Sequence, residues 1–264
     1  LGASRTAMLF EREGAEVELG PTLRKLVTAA RFNPSLPYLS FLCINYDAPV
    51  VKEAASWFLD GVFLNYNSSY LERMLEQLLD EAESPEVTRF LRAVDVRIDG
   101  FRVEKAPEWR GQRVYVRHEV DGKGYELRLS EESAGTQKLM GLAAYLMTAL
   151  ERGSTVVVDE LDAKLHPKLL RYVILLFKDP AVNKNGAQLI FSSQDVSTMR
   201  NDVFRRDEIW FAARCEGEAS QLWSLADIHE ANGNLVSKNA AFDKQYLSGR
   251  YGADPYLTRI EEWD

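Results

Sequence analysis

Cysteine is scarce in these 264 residues. The two present, Cys43 and Cys215, have no metal-binding spacing and suggest no disulfide framework, so a reducing cytoplasm is the expected setting. Excess positive charge is missing as well. The net charge is −8, which gives no global basic field to attract nucleic acid or an anionic membrane, although a local basic groove remains compatible with it. There is no signal peptide, and no apolar run is long enough to cross a bilayer. Internal repeats and low-complexity tracts are absent. Most tellingly, the chain, which opens at Leu1, nowhere contains G-x-x-x-x-G-K-[ST], the glycine-rich loop whose backbone cradles phosphates. What remains is ordinary: 46% apolar and 27% charged residues, enough to bury a full core as one large α/β domain or one domain with an insertion.

The organising stretch runs from Gly153 to Pro167, Gly-Ser-Thr-Val-Val-Val-Asp159-Glu160-Leu-Asp162-Ala-Lys-Leu165-His166-Pro167. Its uncharged, β-branched run predicts a buried, parallel strand. The strand ends in two adjacent carboxylates, with a third at Asp162. Ligands of open α/β sheets sit beyond the carboxyl ends of the strands. Carboxylates there can hold Mg²⁺ and orient a water for phosphoryl transfer. Asp159 is then the metal-side carboxylate and Glu160 the group that polarises the water. The same residues also fit a strand followed by an acidic helix N-terminus, where carboxylates favour the helix dipole.

Residues 7–19 read as a hairpin turning at Gly14, and Pro21 opens a short helix through Ala30. The segment 33–37 reads as a loop. Residues 48–93 read as helical, with Val51, Ala54, Ala55, Phe58, Leu59 and Val62 at helical spacing and a second set from Leu71 to Leu79. A third helix starts at Ser84-Pro85. The aromatic residues Trp57, Phe58, Phe63, Tyr66 and Tyr70 read as packing residues rather than a binding platform. From Val96 the period becomes two, predicting strands at 96–104, 112–120 and 125–129 with a turn at Asp121-Gly122. The cations Arg97, Arg102, Lys105, Arg110, Arg113 and Arg117, with His118 beside them, fit a solvated strand face better than a nucleic-acid track.

A long helix is predicted over 133–151, with Leu139, Leu142, Ala143, Leu146 and Leu150 on one face and Gly153 as its stop. Its opening, Ser133-Ala-Gly135-Thr136-Gln137, offers a capping hydroxyl, a glycine allowing close backbone approach and a second hydroxyl beside free N–H groups. Such an end can bind an anion, and simple capping explains it equally well. A helix over 164–178 and a strand over 187–191 complete a βαβ pattern. A hairpin at 207–213 and 220–225 is expected to extend the sheet.

Taken in order, Ser133-Ala-Gly135-Thr136, Val-Val-Val-Asp159-Glu160, Leu165-His166-Pro167 and Phe191-Ser-Ser-Gln194-Asp195 resemble the signature motif, Walker B, D-loop and switch loop of ABC-type ATPases. More narrowly, the chain is similar to the AAA15-like group related to the overcoming-lysogenization-defect (OLD) ATPases, which the ending Tyr246-Leu-Ser-Gly-Arg-Tyr-Gly-Ala-Asp-Pro-Tyr-Leu257 also resembles. The resemblance implies an α/β fold, the C-terminal part of an ABC-type P-loop ATPase head, with a mixed, largely parallel sheet and an inserted helical segment. The implied divisions are residues 1–47 (end of the N-terminal ATPase lobe), 48–95 (helical insertion or arm) and 96–264 (C-terminal lobe carrying the motifs).

In that family two heads sandwich ATP. The resemblance therefore implies ATP and Mg²⁺ as cofactors and a second copy of the chain as partner. Asp159 would be the Mg²⁺ carboxylate, Glu160 the general base, and Ser133, Gly135 and Thr136 the γ-phosphate contacts to the opposite subunit. His166 would lie in the D-loop at the seam. Relatives of this kind often belong to bacterial phage-defence or abortive-infection systems, frequently with a partner nuclease or other effector, and the resemblance implies that setting. Two departures matter. The switch position, usually histidine, is Gln194, which can hydrogen-bond a phosphate but cannot become cationic. The cradle that the family places before the region opened by Leu1 is missing, so the expectation is the C-terminal portion of a longer ATPase, or a natural half completed by another polypeptide. The alternatives are a non-hydrolysing scaffold with the same fold and a metal-dependent nuclease using Asp159, Glu160 and Asp162.

Overall fold

The structure, a computed structural model, describes residues 8–28, 31–65, 85–94, 98–105, 112–214, 219–230 and 233–253. It forms two units, Leu1–Phe63 and Leu64–Asp264.

In the first unit, strands β1 (Phe10–Glu13) and β2 (Glu16–Leu19) form the expected hairpin, with Phe10 opposite Leu19. Gly14 takes the left-handed φ of 59° in its turn. Gly20 follows because a Cβ there would lie 1.9 Å from the Met8 carbonyl oxygen. Helix α1 is only Pro21–Arg24, shorter than the helix expected through Ala30. β-Branched Val27 and Thr28 propagate a helix poorly. Helix α2 (Tyr38–Asn45) was not expected from the sequence, because almost every residue in it is apolar and the helical period is hidden. Its Tyr38 and Leu42 are buried with Leu23, Ala48 and Val51. Helix α3 (Pro49–Gly61) starts on proline, as its missing N–H permits. Val51 and Ala55 are buried, but Trp57, Phe58 and Leu59 are exposed, so the first two aromatics are not the packing residues expected. Of the remaining three, Tyr66 and Tyr70 lie outside the described residues. Nor does the helix include Val62, which opens strand β3 (Val62–Asn65).

The second unit contains a pair of parallel strands. Strands β7 (Thr155–Val158) and β8 (Gln188–Phe191) are parallel, with Val158 opposite Phe191. Helix α6 (Pro167–Lys178) connects them, giving the expected βαβ unit. Helix α4 (Pro85–Ala93) begins where Ser84-Pro85 predicted. An antiparallel sheet follows, made of β4 (Gly100–Lys105), β5 (Gln112–Val120) and β6 (Lys123–Arg128). Its β5–β6 turn has left-handed φ at both Asp121 (52°) and Gly122 (73°), matching strand twist. Helix α5 (Ala134–Arg152) is buried at every residue from Leu139 to Leu146, rather than along one face. Strands β9 (Trp210–Arg214) and β10 (Ser220–Ser224) pair as expected but form a sheet of their own and do not extend the parallel one. Their core is separate as well: Phe211 packs with Phe242 and Tyr251, using helix α7 (Phe242–Leu247). The α/β class is as expected, with parallel pairing at β7–β8 and antiparallel pairing in the hairpins and β4–β6.

The described cations of β4–β6 do not form a bare track. The Arg102 guanidinium lies 2.9 Å from Glu126, 3.6 Å from Glu104 and 4.1 Å above the Tyr115 ring. Arg117 sits directly across from Glu126. The hydrogen bond from Arg102, only partly offset by desolvation, holds the Glu126 carboxyl below its ordinary range. Arg102, Arg113 and Arg117 are exposed, as the solvated strand face favoured by the sequence requires, whereas Arg97 and Arg110 lie outside the described residues.

Candidate active site

Strand β7 ends where its apolar run meets Asp159, and both Asp159 and Glu160 are exposed. Between them and Asp162, Leu161 is fully buried. The ladder continues past the strand: the Ser192 N–H donates to Val158 O at 3.1 Å and the Leu161 N–H to Ser192 O at 3.0 Å. Ser192 then joins the two carboxylate residues. Its hydroxyl donates to Asp159 Oδ1 at 2.5 Å and accepts from the Glu160 N–H at 2.8 Å. Sequence reasoning placed Ser192 in the switch motif without giving it this role; its position at the parallel partner of the β7 end was the available signal.

The loop after the strand is folded against the start of α5. Glu160 and Lys164 have left-handed φ of 49° and 65°, each costing about 1–2 kcal/mol in a residue with a Cβ. Burying Leu161 contributes about 1.5–3 kcal/mol, enough to offset one of them. The carbonyls of both residues also meet neighbouring groups. Glu160 O accepts from the Ala163 N–H at 3.0 Å and from Lys138 Nζ at 2.5 Å. Lys164 O lies 2.8 Å from where a Cβ on Gly135 would be. Glycine at 135 is therefore demanded by the loop it meets. Burial pushes the Lys138 ammonium below the ordinary lysine range, against the pull of the Asp162 and Glu160 carboxylates and with Lys164 adding to the push.

Asp162 does something other than join a carboxylate cluster. Its Oδ2 accepts from the Gln194 N–H at 3.2 Å, while its buried Oδ1 has no hydrogen-bond partner among the described residues. The Gln194 side chain is exposed. At the helix, the Ser133 hydroxyl accepts from the Thr136 N–H at 3.1 Å and pairs with the Thr136 hydroxyl at 2.8 Å. His166 is the N-cap of α6, its Nδ1 accepting from the Lys168 N–H at 3.1 Å. Two distant elements support this region. His118 Nε2 lies 2.6 Å from Glu132, immediately before Ser133. At the other end of α5, Gly153 closes the helix with φ 72°.

The structure thus brings Asp159, Glu160, Asp162 and the Ser192–Gln194 loop together and sets the α5 start, through Gly135 and Lys138, against the same loop. Among the described residues no group of three His, Cys, Asp or Glu side chains could hold a metal ion. A protein-only metal cage is therefore not formed by Asp159, Glu160 and Asp162. The donor set instead suits Mg²⁺ carried in by phosphates, since that ion is commonly held by one or two carboxylates, substrate oxygens and water.

Among the described residues no helix is long and apolar enough to cross a membrane. Comparison with curated proteins finds no match. A structure from work on "Structural biochemistry of ATP-driven dimerization and DNA stimulated activation of SMC ATPases" is 14% identical over 72% of this chain and 100% of that chain, with a TM-score of 0.42. Residues 31–200, which contain the signature-like helix start, the β7 carboxylates and the switch-like loop, match the family described as "AAA domain, putative AbiEii toxin, Type IV TA system". The chain belongs to this family of AAA-type ATPase domains.

Proposed function

We propose that this chain supplies the signature, Walker B, D-loop and switch parts of an ABC-type ATPase of the AAA15-like, OLD-related kind, which hydrolyses ATP between two copies of itself. The observation that carries the reading is the Ser192 bridge. One hydroxyl from the neighbouring parallel strand ties Asp159 to the Glu160 backbone, so two carboxylates stand at fixed places beyond the strand ends. Asp159 holds the Mg²⁺ side of the nucleotide, and Glu160 accepts the proton of the water that attacks the γ-phosphate. Mg²⁺, when bound with the nucleotide, neutralises charge on the phosphate oxygens. Gln194 hydrogen-bonds the γ-phosphate without adding a positive charge, which keeps turnover slow.

Ser133, Gly135 and Thr136 present the N-terminus of α5 to the γ-phosphate bound by the second copy. Unpaired helix N–H groups and the helix dipole favour an anion at that place. His166, as the first residue before α6, stands in the D-loop. In this scheme nucleotide binding also needs a glycine-rich phosphate cradle, a motif these 264 residues do not contain. The family description, which names a putative toxin of a type IV TA system, supports a toxin–antitoxin setting; a phage-defence role in which the nucleotide state is passed to an effector protein is part of the same proposal.

The test is phosphate release by a preparation that includes the cradle, beside its Glu160→Gln variant. Turnover lost in the variant, together with an ATP-stabilised dimer seen by light scattering, is the expected result. Unchanged turnover removes Glu160 from the base role. Nucleotide binding without turnover in either form selects a second reading, a non-hydrolysing switch or scaffold, which Gln194 in place of histidine favours.

A further inference from the structure

Among the described residues, left-handed φ at a residue other than glycine occurs at Asp121, Glu160 and Lys164. Asp121 belongs to a two-residue hairpin turn that requires it. The other two lie in the loop after β7, and the carbonyl of each abuts the first turns of α5: Glu160 O accepts from Lys138 Nζ, and Lys164 O lies against Gly135. Glu160 is gripped through both of its flanking peptides, its N–H by the Ser192 hydroxyl and its C=O by the Lys138 ammonium. Lys138 is held on one of the two turns that begin at the Ser133 cap, in a helix whose next residues, Leu139 to Leu146, are all buried. The Lys138 ammonium is thus a direct link between the first turns of α5 and the Glu160 carbonyl.

We infer that Lys138 is the positioning residue for Glu160, linking the anion-binding start of α5 to the carboxylate loop of the same subunit. The inference rests on the hydrolytic reading of Glu160 and extends it: a γ-phosphate seated at the helix start of one subunit sets the aim of that subunit's own Glu160, so the two sites of a dimer work in step. Lys138 touches neither water nor nucleotide in this scheme. It acts by fixing a peptide whose left-handed conformation an unassisted glutamate disfavours.

The experiment compares cradle-containing protein with its Lys138→Met and Lys138→Arg variants. Phosphate release is measured against ATP concentration, and amide exchange is measured over residues 159–163. Methionine keeps the stem and removes the donor. The expected result is a fall in kcat of at least about tenfold with KM changed less than about twofold. Faster exchange in the loop accompanies it, and arginine, which can still donate, recovers much of the rate. An unchanged kcat in Lys138→Met overturns the inference, as does a loss that arginine fails to recover and that follows a general fall in stability. If the parent protein itself releases no phosphate, the hydrolytic reading fails separately. Exchange then decides the anchor: unchanged protection in Lys138→Met overturns it, and faster exchange confined to the loop upholds it.

Discussion

Alanine placed at the two glycines of α5 should give opposite signatures, and the reason can be worked from the geometry. At Gly153 the backbone is left-handed, with φ 72° and ψ 28°, which costs alanine about 1–2 kcal/mol. A Cβ there would also stand 2.4 Å from the Asn185 carbonyl oxygen, and forcing such overlap costs about 1–3 kcal/mol. Both contributions oppose folding, so Gly153→Ala should destabilise by about 2–5 kcal/mol. At Gly135 they oppose each other. The residue is the second of the helix, where alanine is favoured by at most about 1 kcal/mol. Its Cβ would stand 2.8 Å from the Lys164 carbonyl oxygen, and relief requires the Asp159–His166 loop to move. The net stability change should lie within about 2 kcal/mol of zero, while the loop bearing Glu160 is displaced. Urea denaturation of both variants, with phosphate release measured on cradle-containing protein, separates the cases. Gly153→Ala should show the larger shift in midpoint. Gly135→Ala, still folded, should lose most of its turnover. A Gly135→Ala protein that is more stable by about 1 kcal/mol and fully active would refute the close approach of helix and loop.

Ser192→Ala should remove the bridge between Asp159 and the Glu160 N–H at a stability cost of about 0.5–1.5 kcal/mol. Turnover should fall about tenfold and half-maximal Mg²⁺ should rise; a Mg²⁺ titration with unchanged midpoint and rate would discard the bridge as a catalytic support. Burial pushes the Tyr251 hydroxyl up to about 12, with the charge of Arg250 opposing and those of Glu230 and Asp243 adding. The neutral form is thus favoured in the fold. Stability is complete below the ordinary tyrosine value near pH 10 and declines as pH rises through about 12, by up to about 3 kcal/mol. Tyr251→Phe should flatten that alkaline limb of the unfolding curve, and a limb of unchanged slope would place the titration elsewhere.

Spacing alone was enough for the elements whose signals are local. A β-branched run ending in charge predicts β7, Ser133 and Gly153 bracket α5, and Asp121-Gly122 fixes the β5–β6 turn, because each depends on φ preferences and capping within a few residues. Where the apolar residues did not alternate, the period misled. Helix α2 was hidden by its uniform apolarity, and the helical reading ran through Val62 because valine fits either element. The expected extension of the sheet by β9 and β10 failed for another reason: alternation predicts a hairpin but not which sheet it joins.

The candidate site divides along the same line. The sequence by itself determined which residue types stand at the ends of β7 and β8 and at the start of α5, since strand and helix boundaries follow from local pattern. Tertiary structure decided what those residues do to one another. Only the parallel register of β7 with β8 sets the Ser192 hydroxyl between Asp159 and Glu160. Only the packing of α5 brings Lys138 to the Glu160 carbonyl and makes Gly135 a contact with Lys164. Asp162, a third carboxylate in the sequence, becomes the acceptor for the Gln194 N–H once the two loops meet. A carbonyl carries no side-chain identity that a sequence could display, so contacts made through the backbone become visible only when the chain has folded.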